Sequence, residues 1–338
     1  MSMVSIANPA YGKINISSAP EGSNPPSGVT NAGGESIKDH RLHKPGVTGS
    51  SPVAANVSVL FDESIEAYHG DTSHYGSTQI GWADRSLALF FARAVLRTSS
   101  GPSSDALTLG KHWHTLRELG PDQFGELAVV VPPDFTTAGG ALSTSKGAKE
   151  WIASLKPGQI PLTQDLADTL GRMQDGFDRN AAAVELEATA LHREASIRWE
   201  STAGMRVRCR PDLICEGGRL ADFKSSRVED IRRDFKWSVK DYRYGLSAAL
   251  YEQGCLIAGL ADPPMHFIVT QTVEPWETEV LTLPPAYMDW ARSRLEQLLT
   301  DIAARLKSGD WTREGYGEVH EIAMPGFGDR GMGSGYVE

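Results

Sequence analysis

The 338-residue chain has only three cysteines, Cys209, Cys215 and Cys255, and no two stand in C-x-x-C spacing. That scarcity excludes a disulfide framework and a four-cysteine zinc or iron–sulfur site. It fits a reducing compartment, and leaves any metal to oxygen ligands and imidazole. No apolar run approaches the ~18 residues that a membrane-spanning helix needs. The first twelve residues, Met1 to Gly12, lack a basic segment followed by an apolar core, so no secretory signal is expected. Positive charge is also short. The net charge of −10 argues against a uniformly basic, DNA-coating surface, but not against a local basic patch.

Large apolar residues are nearly missing from residues 1–55, which are rich in Ser, Gly, Pro, Asn and Ala. Such a segment buries too little surface to offset its ordering entropy, and is expected to be a disordered tail. Residues 56–325 then read as a single domain, and residues 326–338 as a flexible, Gly-rich tail. Ser77 is positioned to cap a helix over 78–96. A second helix should contain 109–119, with Trp113 in the core. A short strand falls at 126–131, and 135–150 reads as a flexible insert. Residues 163–192 have helical periodicity. Strands are expected at 195–199, 206–210 and 220–223, with Gly217-Gly218 as a tight turn. A long helix over 237–258 should stop at Gly259. Strands at 266–273 and 278–283 precede a helix over 285–307, with Trp290, Leu295, Leu298, Leu299, Ile302 and Leu306 on one face. The fold class is therefore α/β, a mixed sheet flanked by helices.

The chemistry is concentrated in one segment. Asp212 follows Pro211 at the end of a strand; past the Gly-Gly turn comes Asp222-Phe223-Lys224. Residues i and i+2 of a strand share a face, so Asp222 and Lys224 point the same way, and a hairpin brings Asp212 beside them. Facing carboxylates repel unless a cation joins them. Hard oxygen ligands favour Mg²⁺, with Mn²⁺ as a substitute. Such a cation activates water and stabilises a leaving oxygen, while a nearby lysine orients water or offsets charge on a phosphate. The parts of a phosphodiester hydrolase are present at one edge. An exposed strand of alternating charge is the bland alternative for D-x-K alone.

The run R-C-R-P-D (208–212), then A-D-F-K-S-S (221–226) and D-Y-R-Y-G-L-S-A-A-L-Y-E-Q-G (241–254), resembles the RecE-like (exonuclease VIII) exonucleases. Leu109-Gly110-Lys111-His112-Trp113-His114 is similar to that family's L-G-x-x-x-H. The resemblance covers about residues 60–325 and implies the restriction-endonuclease-like P-D…(D/E)-x-K core. It implies Asp212 and Asp222 as metal carboxylates and Lys224 as catalytic lysine. It further implies His114 as a metal-proximal histidine, the Phe223 carbonyl as a metal ligand and Glu194 as a further catalytic carboxylate near a second metal. His112 competes with His114. Ser247 stands where the family has glutamine, four residues before Tyr251, which puts that glutamine's substrate contact in doubt.

From Arg206 to Arg243 there are eleven Lys/Arg against seven Asp/Glu, a local net of +4. Arg208, Arg210, Lys240 and Arg243 are candidate phosphate contacts, the last two one helical turn apart. Phe235, Trp237, Tyr242 and Tyr244 could stack on unpaired bases, and Ser77 could hold a terminal phosphate at a helix start. The resemblance implies Mg²⁺-dependent 5′→3′ digestion of double-stranded DNA ends, leaving 3′ single strands for recombination. It also implies a single-strand annealing partner, a ring-shaped homo-oligomer and a cytoplasmic, bacterial or phage-encoded protein. A single-strand or flap-specific nuclease of the same superfamily, or a non-catalytic DNA-binding module, are the competing readings.

Overall fold

The computed structural model describes residues 57–98, 105–260 and 264–321. Both tails expected from the sequence fall outside these. The strands are β1 (Ser58–Leu60), β2 (Ala128–Val130), β3 (Ile160–Leu162), β4 (Ala190–Arg193) and β5 (Ser196–Glu200), then β6 (Arg206–Cys209), β7 (Leu213–Cys215), β8 (Leu220–Ser226), β9 (Met265–Gln271) and β10 (Thr278–Thr282). The helices are α1 (Ile65–Gly70), α2 (Ser77–Arg85), α3 (Leu87–Phe90), α4 (Asp105–Leu119), α5 (Pro121–Leu127) and α6 (Lys146–Ser154). They continue with α7 (Gln164–Asp178), α8 (Ala181–Ala188), α9 (Ile231–Asp241), α10 (Tyr244–Ala258) and α11 (Pro285–Ser308).

Five strands form the central sheet in the order β10-β9-β8-β7-β4. Only β8 and β9 run parallel; β10–β9, β8–β7 and β7–β4 are antiparallel. A parallel pair needs a long crossover, and α9 with α10 provide it. The sheet is mixed and flanked by helices, as the sequence implies. Two apolar layers flank it. Leu213, Cys215, Ala221, Phe223 and Ile268 pack with residues of α4, α5, α7 and α8. Ile214, Leu220, Met265, Phe267 and Val269 pack with α2, α9, α10, α11 and the antiparallel sheet β1-β5-β6. Residues of β8 thus alternate between the layers, and Asp222 and Lys224 share the Leu220 side.

Local rules explain where the chain departs from the simplest periodicity. The expected helix over 78–96 is interrupted at Ser86, whose extended backbone (φ −169°) and hydroxyl, accepting from Leu89 N, start a new turn. Ser77 is the first helical residue, not the cap; Gly76 precedes it, its N–H donating to Gln79 Oε1 at 3.0 Å. The helix expected over 237–258 is two helices, because Arg243 adopts φ +59° between them. Asn180 caps α8 and divides the helical stretch 163–192, whose last residues form β4. The segment 135–150, expected as a flexible insert, carries local structure. A Thr136–Leu142 bridge closes its loop and Ser145 caps α6, whose Ala148 is buried. Gly259 ends α10 at φ +70° and Trp113 is buried, both as expected. Trp290 and Leu306 of α11 are exposed, although the other four residues of that expected face are buried.

Two packing details generate predictions. At Gly254, α10 lies so close to β5 and β6 that a Cβ would stand 2.6 Å from Cys209 Sγ and 2.7 Å from the Trp199 ring. Gly125 of α5 has open space around the same position. Gly125→Ala should stabilise the fold by about 0.5–1 kcal/mol through backbone entropy. Gly254→Ala gains the same term but meets an overpacking cost of about 1–3 kcal/mol. Thermal unfolding should therefore shift upward for the first and downward for the second.

A charged network ties the residues that flank α1 to β5. Arg198 of β5 donates to Glu63 (2.7 and 2.9 Å) and to Asp71 Oδ2 (2.8 Å). Burial alone would raise both carboxyls. For Glu63, Ser196, Arg198 and Arg210 outweigh it; for Asp71, Arg198, Ser73 and His74 do. Arg208 lies 3.9 Å from Asp71 as well. Both acids are thus held below the ordinary range of about 3.9–4.3. A depressed carboxyl contributes stability above its unfolded pKa and loses it as pH falls through the folded value. Acid denaturation should show this loss below about pH 4, and Asp71→Asn should flatten the acid limb of Tm against pH.

Candidate active site

The site is built on the β7–β8 hairpin. Leu213 pairs with Ala221 and Ile214 with Leu220, so the same register sets Asp212, one residue before β7, opposite Asp222. The turn between them needs positive φ at Gly217 (+70°) and Gly218 (+75°), which glycine adopts without strain. On the other side β9 pairs in parallel, with Phe267 beside Asp222 and Val269 beside Lys224. Asp212 and Asp222 are 5% and 2% exposed, unusual for carboxylates unless they serve a charged partner.

His114 reaches the hairpin from α4. Gly110, one turn earlier on the same face, lets the helix approach β8; a Cβ there would lie 3.2 Å from Ser225 Oγ. The glycine–histidine spacing in the sequence therefore has a steric basis. His114 Nε2 stands 2.9 Å from Asp212 Oδ2, and its Nδ1 stands 3.7 Å from Glu194 Oε1. The Phe223 N–H donates to the same Asp212 oxygen at 2.6 Å. Glu194, at φ +53°, donates its N–H to the Asp212 carbonyl and accepts from Arg210 Nε at 2.6 Å. Lys224 Nζ contacts Asp222 Oδ2, donates to the Phe223 carbonyl at 3.4 Å and lies 5.0 Å from the Tyr244 ring centroid.

The electrostatics follow from burial and crowding. Burial, then Asp212, raise the Glu194 carboxyl to about 7. Burial, with Asp212, raises Asp222 to about 6 against the pull of Lys224. Burial would also raise Asp212, but His114, Lys224 and the Phe223 N–H hold it low. Burial would lower His114; the charge and hydrogen bond of Asp212 instead raise it to about 9. Several acids thus compete for few positive charges, the situation that a divalent cation relieves.

One ligand atom from each of His114, Asp212 and Asp222 lies within 4.8 Å of the others, close enough to hold one metal ion. Two hard carboxylate oxygens and one imidazole suit Mg²⁺ or Mn²⁺. The Phe223 carbonyl accepts from Lys224, which in turn contacts Asp222, and Glu194 lies outside the group on the Nδ1 side of His114. His112, the competing histidine, is pulled below the ordinary histidine value by burial and Lys111; it does not belong to the cluster.

The expected DNA contacts divide. Arg208, 3% exposed, donates to the carbonyls of Tyr68 and Asp71 and lies over the Tyr68 ring. Arg210, 7% exposed, holds Glu194 and the Glu63 carbonyl. The pairing of β5 with β6 and the cover of α1 draw both guanidinium groups inside, so neither is placed to meet a phosphate. Lys240 is exposed. Arg243 is tied to Asp84 at 2.9 Å and, across the helix break, is not on one helical face with Lys240. Ser77 lies near the side chain of Tyr251, whose hydroxyl is pushed up first by burial and then by the charge of Asp222. Tyr251 is the site neighbour that residue spacing alone did not single out.

A cation binding at this cluster should stabilise the folded chain by mass action. Mn²⁺ should raise Tm and EDTA should abolish the rise; in Asp222→Asn the shift should be lost while metal-free Tm holds or rises. A Tm shift in the variant equal to that of the parent would place the cation elsewhere.

Residues 91–318 match the family model described as "PDDEXK-like domain of unknown function (DUF3799)". No curated protein sequence matches the chain. Among solved structures, the crystal structure of a "Putative exonuclease" from Eubacterium rectale is similar, with a TM-score of 0.50 at 14% identity, covering 74% of this chain and 87% of that one. At that identity the likeness bears on the fold. No helix among the described residues is long and apolar enough to cross a membrane.

Proposed function

The chain belongs to the PDDEXK-like family whose model spans residues 91–318, and on that premise we propose that it is a metal-dependent deoxyribonuclease acting on linear double-stranded DNA. The observation that carries this is the convergence of His114, Asp212 and Asp222 within 4.8 Å, with Lys224 in contact with Asp222. A non-catalytic module has no chemical need for buried facing carboxylates and a lysine at that edge.

Asp212, Asp222 and His114 would hold Mg²⁺ or Mn²⁺, beside the Phe223 carbonyl. When bound, the cation polarises the phosphodiester and acidifies a water. The residues supply the rest. The Phe223 N–H fixes one Asp212 oxygen, which steadies that carboxylate opposite Asp222. Lys224 places a positive donor where charge grows on the phosphate and where the attacking water must be aligned. Glu194, held by Arg210, adds a third carboxylate behind His114 that can take a proton or join a further cation. Lys240 lies on the exposed approach and can meet the DNA backbone.

The finer reading is 5′→3′ digestion that leaves 3′ single strands for recombination through a single-strand annealing protein, by a ring-shaped homo-oligomer. It is supported by the RecE-like resemblance of residues 208–254 and of the 109–114 motif. Ser77, near the site through Tyr251, is the candidate for sensing the terminal phosphate.

The test is digestion of linear duplex labelled at either end, with Mg²⁺ or EDTA, beside closed circles. The expected result is metal-dependent release from the 5′ end, circles intact, and no cutting by Asp222→Ala. Lys224→Ala should lower the rate on the order of 10²–10³-fold, the scale of losing one transition-state donor. Cutting of circles would convert the reading to an endonuclease; binding without cutting in either metal would remove the enzyme.

A further inference from the structure

C-terminal to Lys224, α9 and the turn that follows it present basic and aromatic side chains to solvent. The amphipathic helix α9 buries Ile231, Phe235 and Val239 and turns Lys236, Trp237 and Lys240 outward. Both lysine ammonium groups lie near the Trp237 ring, at 5.6 and 5.7 Å. Neither lysine forms an ion pair among the described residues, whereas neighbouring Arg233 is taken by Asp234 and Arg232 by Glu279. Unpaired cations gathered on an indole are a surface without its counter-charge.

At the end of α9 the chain turns through Arg243, a non-glycine residue at φ +59°. Its side chain holds that conformation by donating to Asp84 and to the carbonyls of Lys240 and Asp241. The left-handed turn brings two rings together: Tyr242 stacks on Tyr244 with centroids 5.6 Å apart and planes at 24°. Tyr244 is braced below by Phe235 and Phe267, and Lys224 Nζ sits 5.0 Å from its centroid. Tyr242 is 62% exposed, so its outer face is open. A strained backbone held by three hydrogen bonds, presenting an aromatic face two steps from the catalytic lysine, is positioned for a planar ligand.

The geometry points to a base-stacking platform: Tyr242, backed by Tyr244, takes an unpaired nucleotide at a DNA end, and Lys236 and Lys240 hold the phosphates of the strand leading away. This rests on the nuclease reading for its substrate, and deepens it: the chain recognises a frayed end rather than an intact terminal pair. Charge complementarity selects the ligand, since two unpaired cations beside stacked rings match a single strand with its phosphates outward and bases free. Continuity with Lys224 places that strand at the hydrolytic cluster. Exposed Asp241 beside the platform opposes a purely electrostatic, sequence-blind docking of duplex backbone.

The experiment compares the full chain and its variants by fluorescence anisotropy, with Ca²⁺ replacing Mg²⁺. The probes are a blunt duplex and the same duplex with about three unpaired 5′ nucleotides, the label at the far end. Tyr242→Ala should weaken binding of the frayed duplex roughly tenfold or more, the scale of removing one base–aromatic stack. Tyr242→Phe should bind like the parent, and the blunt duplex should be much less affected by Tyr242→Ala. Lys236→Ala with Lys240→Ala should reduce the slope of log K against log salt by about 0.7 for each phosphate that a lysine had neutralised. Equal affinity of Tyr242→Ala and parent, an equal weakening on both DNAs, or no binding by the parent would overturn the platform. Parallel digestion in Mg²⁺ separates the two readings. A parent that cuts while Tyr242→Ala binds unchanged loses only the platform. A parent that binds frayed ends through Tyr242 and never cuts loses only the nuclease.

Discussion

The register of the β7–β8 hairpin is the constraint from which the site follows. Leu213 against Ala221 sets Asp212 against Asp222, and the parallel pairing with β9 fixes the other edge of the same strand. Because side chains alternate along a strand, a slip of one residue would turn Asp222 and Lys224 into the layer occupied by Phe223, Leu213 and Ile268. The apolar residues on both faces of β8 therefore act as the register lock for the polar ones. The hairpin is short, with three residues in β7, and its hold depends on neighbours more than on its own ladder. Phe223 N–H on the Asp212 carboxylate and Glu194 N–H on the Asp212 carbonyl anchor Asp212 just before the first residue of β7.

Around this hairpin the arginines have become interior structure. Arg198, Arg208 and Arg210 on β5 and around β6 gather Glu63, Asp71, Glu194 and backbone carbonyls beneath α1. Buried guanidinium groups that have carboxylate and carbonyl partners avoid the penalty of an isolated buried charge. The local excess of basic residues is thus not a basic patch in itself. Part of it neutralises acids inside, and the part that faces solvent lies further along, on α9. Arg210 connects the two roles, since the carboxylate it holds, Glu194, also faces His114.

The closeness of Asp212, Asp222 and Lys224 was legible from two local rules: alternation in a strand, and a Gly-Gly turn between strands. The strand that pairs with β8 is β7, however, and the expected strand 206–210 pairs with β5 in the other sheet. The α/β class was legible from the sequence of helical and alternating segments. What was not legible depended on side chains meeting across the fold. No pattern in R-C-R-P-D tells whether Arg208 faces a phosphate or the Tyr68 carbonyl; the cover of α1 decides it. The break at Arg243 was hidden because arginine is a good helix former, and what favours the left-handed turn is its pairing with Asp84, itself held by Arg294, and with the carbonyls of Lys240 and Asp241. The strand β7 was hidden by its length, and the order in 135–150 by its small and polar composition, which also caps a helix and closes a turn. His114 over His112 was readable from the spacing to Gly110, whose steric meaning appears only where α4 crosses Ser225.

Four non-glycine residues among those described have positive φ: Arg97, Glu194, Arg243 and Trp276. Two of them, Glu194 and Arg243, border the site. A left-handed residue with a side chain costs roughly 1–2 kcal/mol, so each must be held by something that outweighs it. At Glu194 the holders are Arg210 and the Asp212 carbonyl; at Arg243 they are Asp84 and two carbonyls. In both places the strain aims a side chain that regular structure would have turned away. One turn places a carboxylate behind His114, and the other stacks Tyr242 on Tyr244 beside Lys224. The same economy holds for the buried carboxylates, whose crowding is costly for the fold alone and becomes favourable only when a cation shares them. Both kinds of strain gather around β8, where Asp222 and Lys224 stand side by side.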